Sequence, residues 1–378
     1  MNIPFVYGRI AEHQEFTGRE QDIIHLKQNL TSGINTVIMS PRRWGKSSLV
    51  HYVLNEISES DDEYLVCHVD AFNCRDEESF FQTYANAVIK ASTTFIDEAV
   101  SIIKKYMGSI GAKITLEDST SKVGVSLGID ITDRQYSVDE ILDLPEKIAA
   151  ERGKKFVVCI DEFQNIGFFD NPDAFQARLR SHWQLHQHVT YCMYGSRRHM
   201  LLNIFSDYEK PFYKFGDIIP LQKIPSSVWR DFIVARFHDT GKQITPEFAE
   251  EIALRVECHS YYVQQYAQLV WLLTADHADE TLLDVAYQQM MDRSTLLFYN
   301  IIDSLRTRQI SFLVAIARGE ENYSSANVLR KYNLGSSANI KNLRQALLDH
   351  DIVTTEPGSP RLEIQDPVFK QWLLVRYR

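Results

Sequence analysis

At 378 residues the chain is too long for one ordinary hydrophobic core, and two or three domains follow from length alone. Its make-up, 44% hydrophobic and 24% charged, is that of a globular protein. No apolar run approaches the ~20 residues a membrane helix requires. A formal net charge of −10 argues against a chain that binds nucleic acid over its whole surface. The charge is uneven, however: residues 301–378 carry 11 Lys and Arg against 8 Asp and Glu, and the remainder 29 against 42.

The N-terminus lacks the charged-then-apolar design of a secretory signal, so a cytoplasmic protein without a membrane partner is expected. Residues 14–30 have a Thr able to cap a helix, acidic residues in the first turn, and Ile23, Ile24, Leu26 and Leu30 at helical spacing. NTVIMS is a short apolar strand, and SSLVHYVLNEI resumes a helical period. EYLVCHVDA predicts a second strand, followed by one long helix from about Glu77 to Met107. Residues 108–137 alternate with regular glycines and read as an inserted hairpin or three-stranded piece. SVDEILDLPEKIAAER predicts one helix, with Ser137 and Glu140 placed as a capping box. KKFVVCIDEF and HVTYCMYGS are near-continuous apolar strands, as expected where a sheet is covered on both faces.

This alternation implies an α/β core over 1–221 with a parallel sheet and helices on both faces. From about 222 the strands stop. Four helices, ending with one from Thr281 to about Leu305, predict an all-helical domain over 222–305. Residues 306–378 give a helix at 309–318, a short second helix, a third from Ala338 to Asp349, and a hairpin turning through Pro-Gly-Ser-Pro. That is the pattern of a winged helix-turn-helix.

Three stretches carry chemistry. In VIMSPRRWGKSS (37–48), residues Ser40 to Ser47 fit the phosphate-loop pattern G-x-x-x-x-G-K-[ST] everywhere but the first position. A strand precedes the loop and a helix follows. Backbone N–H groups of Ser40, Pro41, Arg42, Arg43, Trp44, Gly45, Lys46, Ser47 and Ser48 (the proline excepted) would then cradle phosphates at a helix N-terminus. Gly45 would allow close approach, Lys46 would reach the β- and γ-phosphates, and the Ser47 hydroxyl would ligate Mg²⁺. The competing reading is a chance Gly-Lys-Ser in a basic turn.

In FVVCIDEF a buried strand ends in two carboxylates, at the edge where open α/β sheets bind ligands. Asp161 would hold Mg²⁺ through water, and Glu162 would orient or deprotonate the attacking water. Alone, such a pair is as often a solvated strand end. The third stretch, VTYCMYGSRRHM, brings Ser196, Arg197 and Arg198 to the same kind of edge. Ser196 could sense a γ-phosphate, and either arginine could stabilise charge developing in transfer or be a plain surface charge. An arginine acting on a neighbouring subunit's nucleotide would require a homo-oligomer.

FTGREQDIIHL, PRRWGKSS, CIDEFQNI, MYGSRRHM, PFYKFGDIIPL and LEIQDPVFKQWLL together resemble the archaeal- and bacterial-type P-loop ATPases related to the STAND class, within the AAA+-like ATPases. The resemblance runs from about residue 5 to 375. It implies a P-loop NTPase core, a small helical lid over 222–300 and a winged helix. ATP or ADP and Mg²⁺ are the implied cofactors, with Arg19 and Glu20 near the base and ribose. In this group Ser-Pro-Arg-Arg-x-Gly-Lys-[ST] is an ordinary phosphate loop. One departure stands out: Cys258 and Ser260 occupy the places of a Gly-x-Pro that opens a lid helix.

The winged helix offers DNA or a protein partner a helix with Asn339, Lys341, Asn342, Arg344 and Gln345, preceded by Arg330 and Lys331, with Arg361 in the wing. Acidic Asp349, Asp351 and Glu356 follow closely, and a net +3 is thin for a DNA site. Packing on the ATPase core is the alternative. The lid aromatics read as core. The five cysteines have no C-x-x-C spacing and read as buried thiols, and His182 and His186 read as a structural pair rather than a zinc site. The expected function is a slow Mg²⁺-dependent ATPase acting as a conformational switch. Its rival is an ATP-regulated DNA-binding regulator or a non-hydrolysing nucleotide scaffold.

Overall fold

The structure is a computed structural model that describes residues 3–11, 15–93, 96–106, 111–117, 124–130, 134–355 and 361–377. The chain divides into two compact units. One comprises Glu20–Ser40 and Leu49–Leu221; the other comprises Met1–Arg19, Pro41–Ser48 and Gln222–Arg378.

The first unit is α/β. Its elements are α1 (Glu20–Thr31), β1 (Thr36–Met39), the body of α2 (Lys46–Ser60), β2 (Tyr64–Asp70), α3 (Glu77–Ser92), α4 (Ile96–Tyr106), β3 (Gly111–Glu117), β4 (Gly124–Asp130), α5 (Arg134–Leu142), α6 (Leu144–Arg152), β5 (Lys155–Asp161), α7 (Pro172–Trp183), β6 (Val189–Gly195), α8 (Arg198–Ser206) and β7 (Asp217–Pro220). Five strands form a parallel sheet in the order β2-β5-β6-β1-β7. Every residue of β1 and β6 is buried, so both faces of the sheet centre are covered, which is why these strands read as unbroken apolar runs. The expected insert is a two-stranded antiparallel hairpin, Gly111 opposite Asp130 and Glu117 opposite Gly124.

Two predicted helices are broken. The stretch expected as one helix from Glu77 to Met107 stops at Thr93, whose backbone turns extended. There the hydroxyls of Ser92 and Thr93 donate to the carbonyls of Val88 and Ile89, side-chain bonds that compete with a continuing helix. The 137–152 stretch breaks at Asp143 because Pro145 in the first turn of α6 has no N–H to give the preceding turn. Asp143 is held there from outside: its Oδ1 lies 2.7 Å from Nδ1 of His182 and 3.3 Å from Nε2 of His186. Those bonds hold the Asp143 carboxyl below its ordinary range despite opposing burial. The two histidines thus serve structure; among the described residues no group of three or more His, Cys, Asp or Glu could hold a metal. The Ser137 side chain of the expected capping box lies outside the described residues, as does the Pro-Gly-Ser-Pro turn.

The second unit holds α9 (Ser226–Asp239), α10 (Pro246–Arg255), α11 (Ser260–Leu273), α12 (Glu280–Asp303), α13 (Thr307–Ala317), α14 (Ala326–Lys331), α15 (Asn339–Asp349), β8 (Val353–Thr355), β9 (Leu362–Ile364) and α16 (Pro367–Arg376). The hairpin pairs Val353 with Ile364, completing the winged helix. One apolar core runs from Phe5 through Trp229, Tyr266, Phe298 and Phe312 to Leu373, so the lid aromatics are core as expected. The motif residue Asp366 does two jobs in this core. It caps α16 by accepting from the Phe369 N–H, and it takes the Tyr262 hydroxyl of α11 at 2.5 Å. Burial pushes the Asp366 carboxyl up. The five cysteines are unbridged, and among the described residues no helix is long and apolar enough to cross a membrane.

Candidate functional site

In the α/β unit the strand ends set the chemistry. Because β1, β5 and β6 are parallel and adjacent in register, Met39, Asp161 and Gly195 all leave the sheet at the same edge. Ser40 follows Met39 and is 1% exposed, a small residue fully enclosed at the start of the loop. Asp161 ends β5, and its Oδ1 accepts the Glu162 N–H at 2.8 Å. Glu162 sits in the left-handed region, φ 49, a conformation that costs a non-glycine residue about 1–2 kcal/mol. That turn carries its carboxylate toward β6. There Oε2 accepts from the Ser196 hydroxyl at 2.9 Å, from the Ser196 N–H at 3.4 Å, and from the Gln164 amide. The expected sensor Ser196 and the expected base Glu162 are therefore bonded directly to each other.

Arg197 stands immediately before α8, its guanidinium 5.2 Å from the centre of the exposed Phe168 ring. Arg198 begins α8, half-buried like Arg197. Sequence reasoning missed Gln164, which is buried at 1% exposure in the 3-10 turn Phe163–Phe168.

In the helical unit, Pro41–Ser48 is bound on several sides by the lid and the winged helix. Gly45 has φ 94, and a Cβ there would meet nothing within 4 Å, so backbone conformation alone demands glycine and the loop face stays bare. Lys46 opens α2, and its buried ammonium donates to the Pro41 carbonyl at 3.0 Å across the loop. Ser47 is half-buried, and Ser48 accepts the Ala11 N–H at 3.0 Å. Arg42 reaches Asp351 at 2.9 Å. That carboxylate is only 5% exposed and also accepts from the Gln365 amide at 2.8 Å. Arg43, at φ 62, lies over the Tyr261 ring at 4.7 Å. The Trp44 carbonyl accepts from Arg19 at 2.9 Å, and Lys223 lies over the indole at 5.8 Å.

Arg19, expected near base and ribose, also donates to the Gln222 carbonyl at 2.7 Å. The residue thus ties the entry motif to the loop and to the first residue of the lid segment.

The lid turn explains its unusual residues. Glu257 (φ 52) and Cys258 (φ 55) are both left-handed, so Cys258 takes up the backbone conformation that glycine would supply in its place. Ser260 begins α11 and its hydroxyl lies 3.5 Å from the Trp44 carbonyl, a contact that a proline there could not make. Cys258→Gly should leave the denaturation midpoint nearly unchanged, because relief of φ offsets lost packing and added unfolded-state freedom. Cys258→Val, β-branched at positive φ, should lower unfolding free energy by about 1–3 kcal/mol in the same urea titration.

By sequence, no curated protein matches the chain. Residues 296–375 match a family model described as a probable winged helix domain. Among solved structures, the Walker-type ATPase PABY2304 of Pyrococcus abyssi superposes with a TM-score of 0.68 at 18% identity, covering 96% of this chain and 97% of that one. The Aeropyrum pernix ORC2 protein, in ADPNP–ADP complexes, gives 0.57 at 14% identity over 99% of both chains. At these identities the likeness is one of fold, and the fold is that of a P-loop ATPase with a parallel five-stranded sheet and a C-terminal winged helix.

Proposed function

We propose that the chain is a Mg²⁺-dependent ATPase related to the STAND class, and that bound nucleotide acts as a switch for the lid and winged helix. The observation that carries this reading is the loop Pro41–Ser48. Its arginines are committed to Tyr261 of α11 and to Asp351 next to the wing, so an anion taken up on the loop competes for cations that hold both elements.

The residues fit the nucleotide. Gly45 leaves bare backbone, Lys46 begins a 15-residue helix whose first N–H groups have no helical acceptor, and Ser47 and Asp161 offer hard oxygens suited to Mg²⁺. Bound Mg²⁺ supplies charge neutralisation on the phosphates. Glu162 holds the proton-accepting oxygen, Ser196 fixes its orientation, and Arg197 or Arg198 offers positive charge, either in this chain or toward a second copy. The test is binding and hydrolysis of radiolabelled ATP. Lys46→Ala should lose both, and wild-type turnover no faster than that of Lys46→Ala would overturn the enzyme reading.

For the winged helix, nucleotide-coupled docking is better supported than groove reading. Two of its flanking cations are committed: Lys331 is paired with Glu320 at 2.8 Å and Arg361 lies 3.4 Å from Glu321. Lys341 and Asn342 are left exposed on α15. Few phosphate contacts mean a weak association with little counterion release to drive it. In a mobility-shift assay we expect any duplex complex to vanish by about 150 mM salt. A complex that persists there and is abolished by Lys341→Glu would establish DNA binding instead.

A further inference from the structure

We propose that Gln164 is a positioning residue for hydrolysis: it fixes the Glu162 carboxylate, and Gly195 is glycine to make room for it. The proposal rests on the ATPase reading above and names a residue that reading does not require.

Three observations carry it. First, the Gln164 amide and the Ser196 hydroxyl and N–H all donate to one oxygen, Glu162 Oε2. Oε1 receives no donor from the described residues. A carboxylate held by one oxygen in this way is restrained against rotation about its last bond, and the other oxygen is presented in one preferred direction as a proton acceptor.

Second, the arrangement is costly in a way that packing alone does not explain. Gln164 is 1% exposed, and its Oε1 is buried with no hydrogen-bond partner. A buried acceptor left unpaired destabilises the fold, and a methionine of similar length would fill the same space without it. What methionine lacks is the N–H that holds Glu162.

Third, the space for this amide is built on a different strand. A Cβ on Gly195 would lie 1.8 Å from Gln164 Oε1 and 2.9 Å from its Cδ. Gly195 has no positive φ, so its backbone does not call for glycine; the glutamine side chain does. Gln164, in the turn after β5, and Gly195, at the end of β6, therefore form a matched pair, and the glutamate they serve lies between Asp161 and the sensor position.

The experiment uses the full-length chain with Gln164→Met, Glu162→Gln and the double variant. Gln164→Met should bind ATP with unchanged affinity, melt at a temperature no lower than wild type, and show kcat reduced roughly 10- to 100-fold with KM unchanged. In the Glu162→Gln background the same change should reduce turnover no further, because the group it positions is already gone. Four outcomes would overturn the proposal: unchanged kcat in Gln164→Met, increased kcat, an equal further loss in the Glu162→Gln background, or a fall in melting temperature that accounts for the lost activity. A wild type no more active than Lys46→Ala removes the ATPase reading itself, an outcome distinct from an active wild type matched by an equally active Gln164→Met. Gly195→Ala provides an independent check, since it should displace the amide and reproduce the kcat loss of Gln164→Met.

Discussion

Glu162→Gln should retain ATP affinity and lose hydrolysis by roughly 10²- to 10⁴-fold, the range expected when a positioned proton acceptor is removed. The geometry predicts this split because the substitution is isosteric where it matters. Oε2 of Glu162 accepts three hydrogen bonds, from Gln164 and twice from Ser196. A glutamine at 162 can turn its carbonyl oxygen to those same donors and keep the local fold, so only the basic oxygen is lost. Binding rests on other residues, those of the loop with Lys46 foremost. Single-turnover hydrolysis beside equilibrium ATP binding measures both quantities. Turnover equal to wild type would remove Glu162 from the chemistry. A parallel loss of binding would mean that the carboxylate shapes the fold rather than the reaction. If the split is seen, the variant also traps the ATP-bound chain, the state in which the contacts of Arg42 and Arg43 should be most altered.

The sequence revealed those features whose signal is local. Buried parallel strands read as apolar runs because both faces are covered, and this placed β1, β5 and β6 and the residues at their ends; β2, an edge strand with exposed positions, was legible from its own short apolar pattern. The fourth-strand neighbour β7 was missed: four residues ending in Pro220 carry too little pattern to stand out. Its entry also depends on Gly216, where a Cβ would lie 2.4 Å from the Asn35 carbonyl oxygen, a long-range crowding with no sequence signature. The Asp143 helix break was only half legible. Pro145 is visible, but the histidines that hold the carboxylate are 39 and 43 residues away. Among the proposed site residues, Asp161, Glu162, Ser196 and the loop are legible as motifs. Gln164 was not, because its role exists only once Gly195 is brought beside it by strand pairing. The Arg42–Asp351 contact was likewise invisible. Asp351 counted merely as negative charge against DNA binding, whereas the structure gives that charge a partner on the phosphate loop. Motifs record the residues that meet a ligand, and folding decides which other side chains those residues depend on.

Acidification should loosen the helical unit through His259, the residue between Cys258 and Ser260. Its ring is 5% exposed and its Nδ1 has no hydrogen-bond partner. Burial, then the nearby charges of Lys223 and Arg43, lowers its pKa from 6.5 to about 3, partly opposed by backbone hydrogen bonding at His259 and Arg42. The unfolded chain takes up a proton near pH 6.5, while the folded chain must keep this ring neutral. Over that window the unfolded state binds more protons, so stability falls as pH falls, by about 1.4 kcal/mol per unit. Between pH 6.5 and pH 5 the cost is about 2 kcal/mol, with the full effect reached only near pH 3. Other groups add to the acid response: His68, its pKa lowered by burial to about 4, contributes a smaller effect because its side chain is partly exposed, and the lowered carboxyls of Asp143 and Glu146 lose their stabilising bonds only at still lower pH. His259→Phe isolates this contribution, because phenylalanine can preserve the ring contact with Tyr262, whose centroid lies 5.1 Å away, but carries no titrating group. Urea unfolding of both proteins at pH 6.5 and pH 5 should show a wild-type loss exceeding that of the variant by about 2 kcal/mol. Equal losses would mean that the folded ring accepts a proton freely.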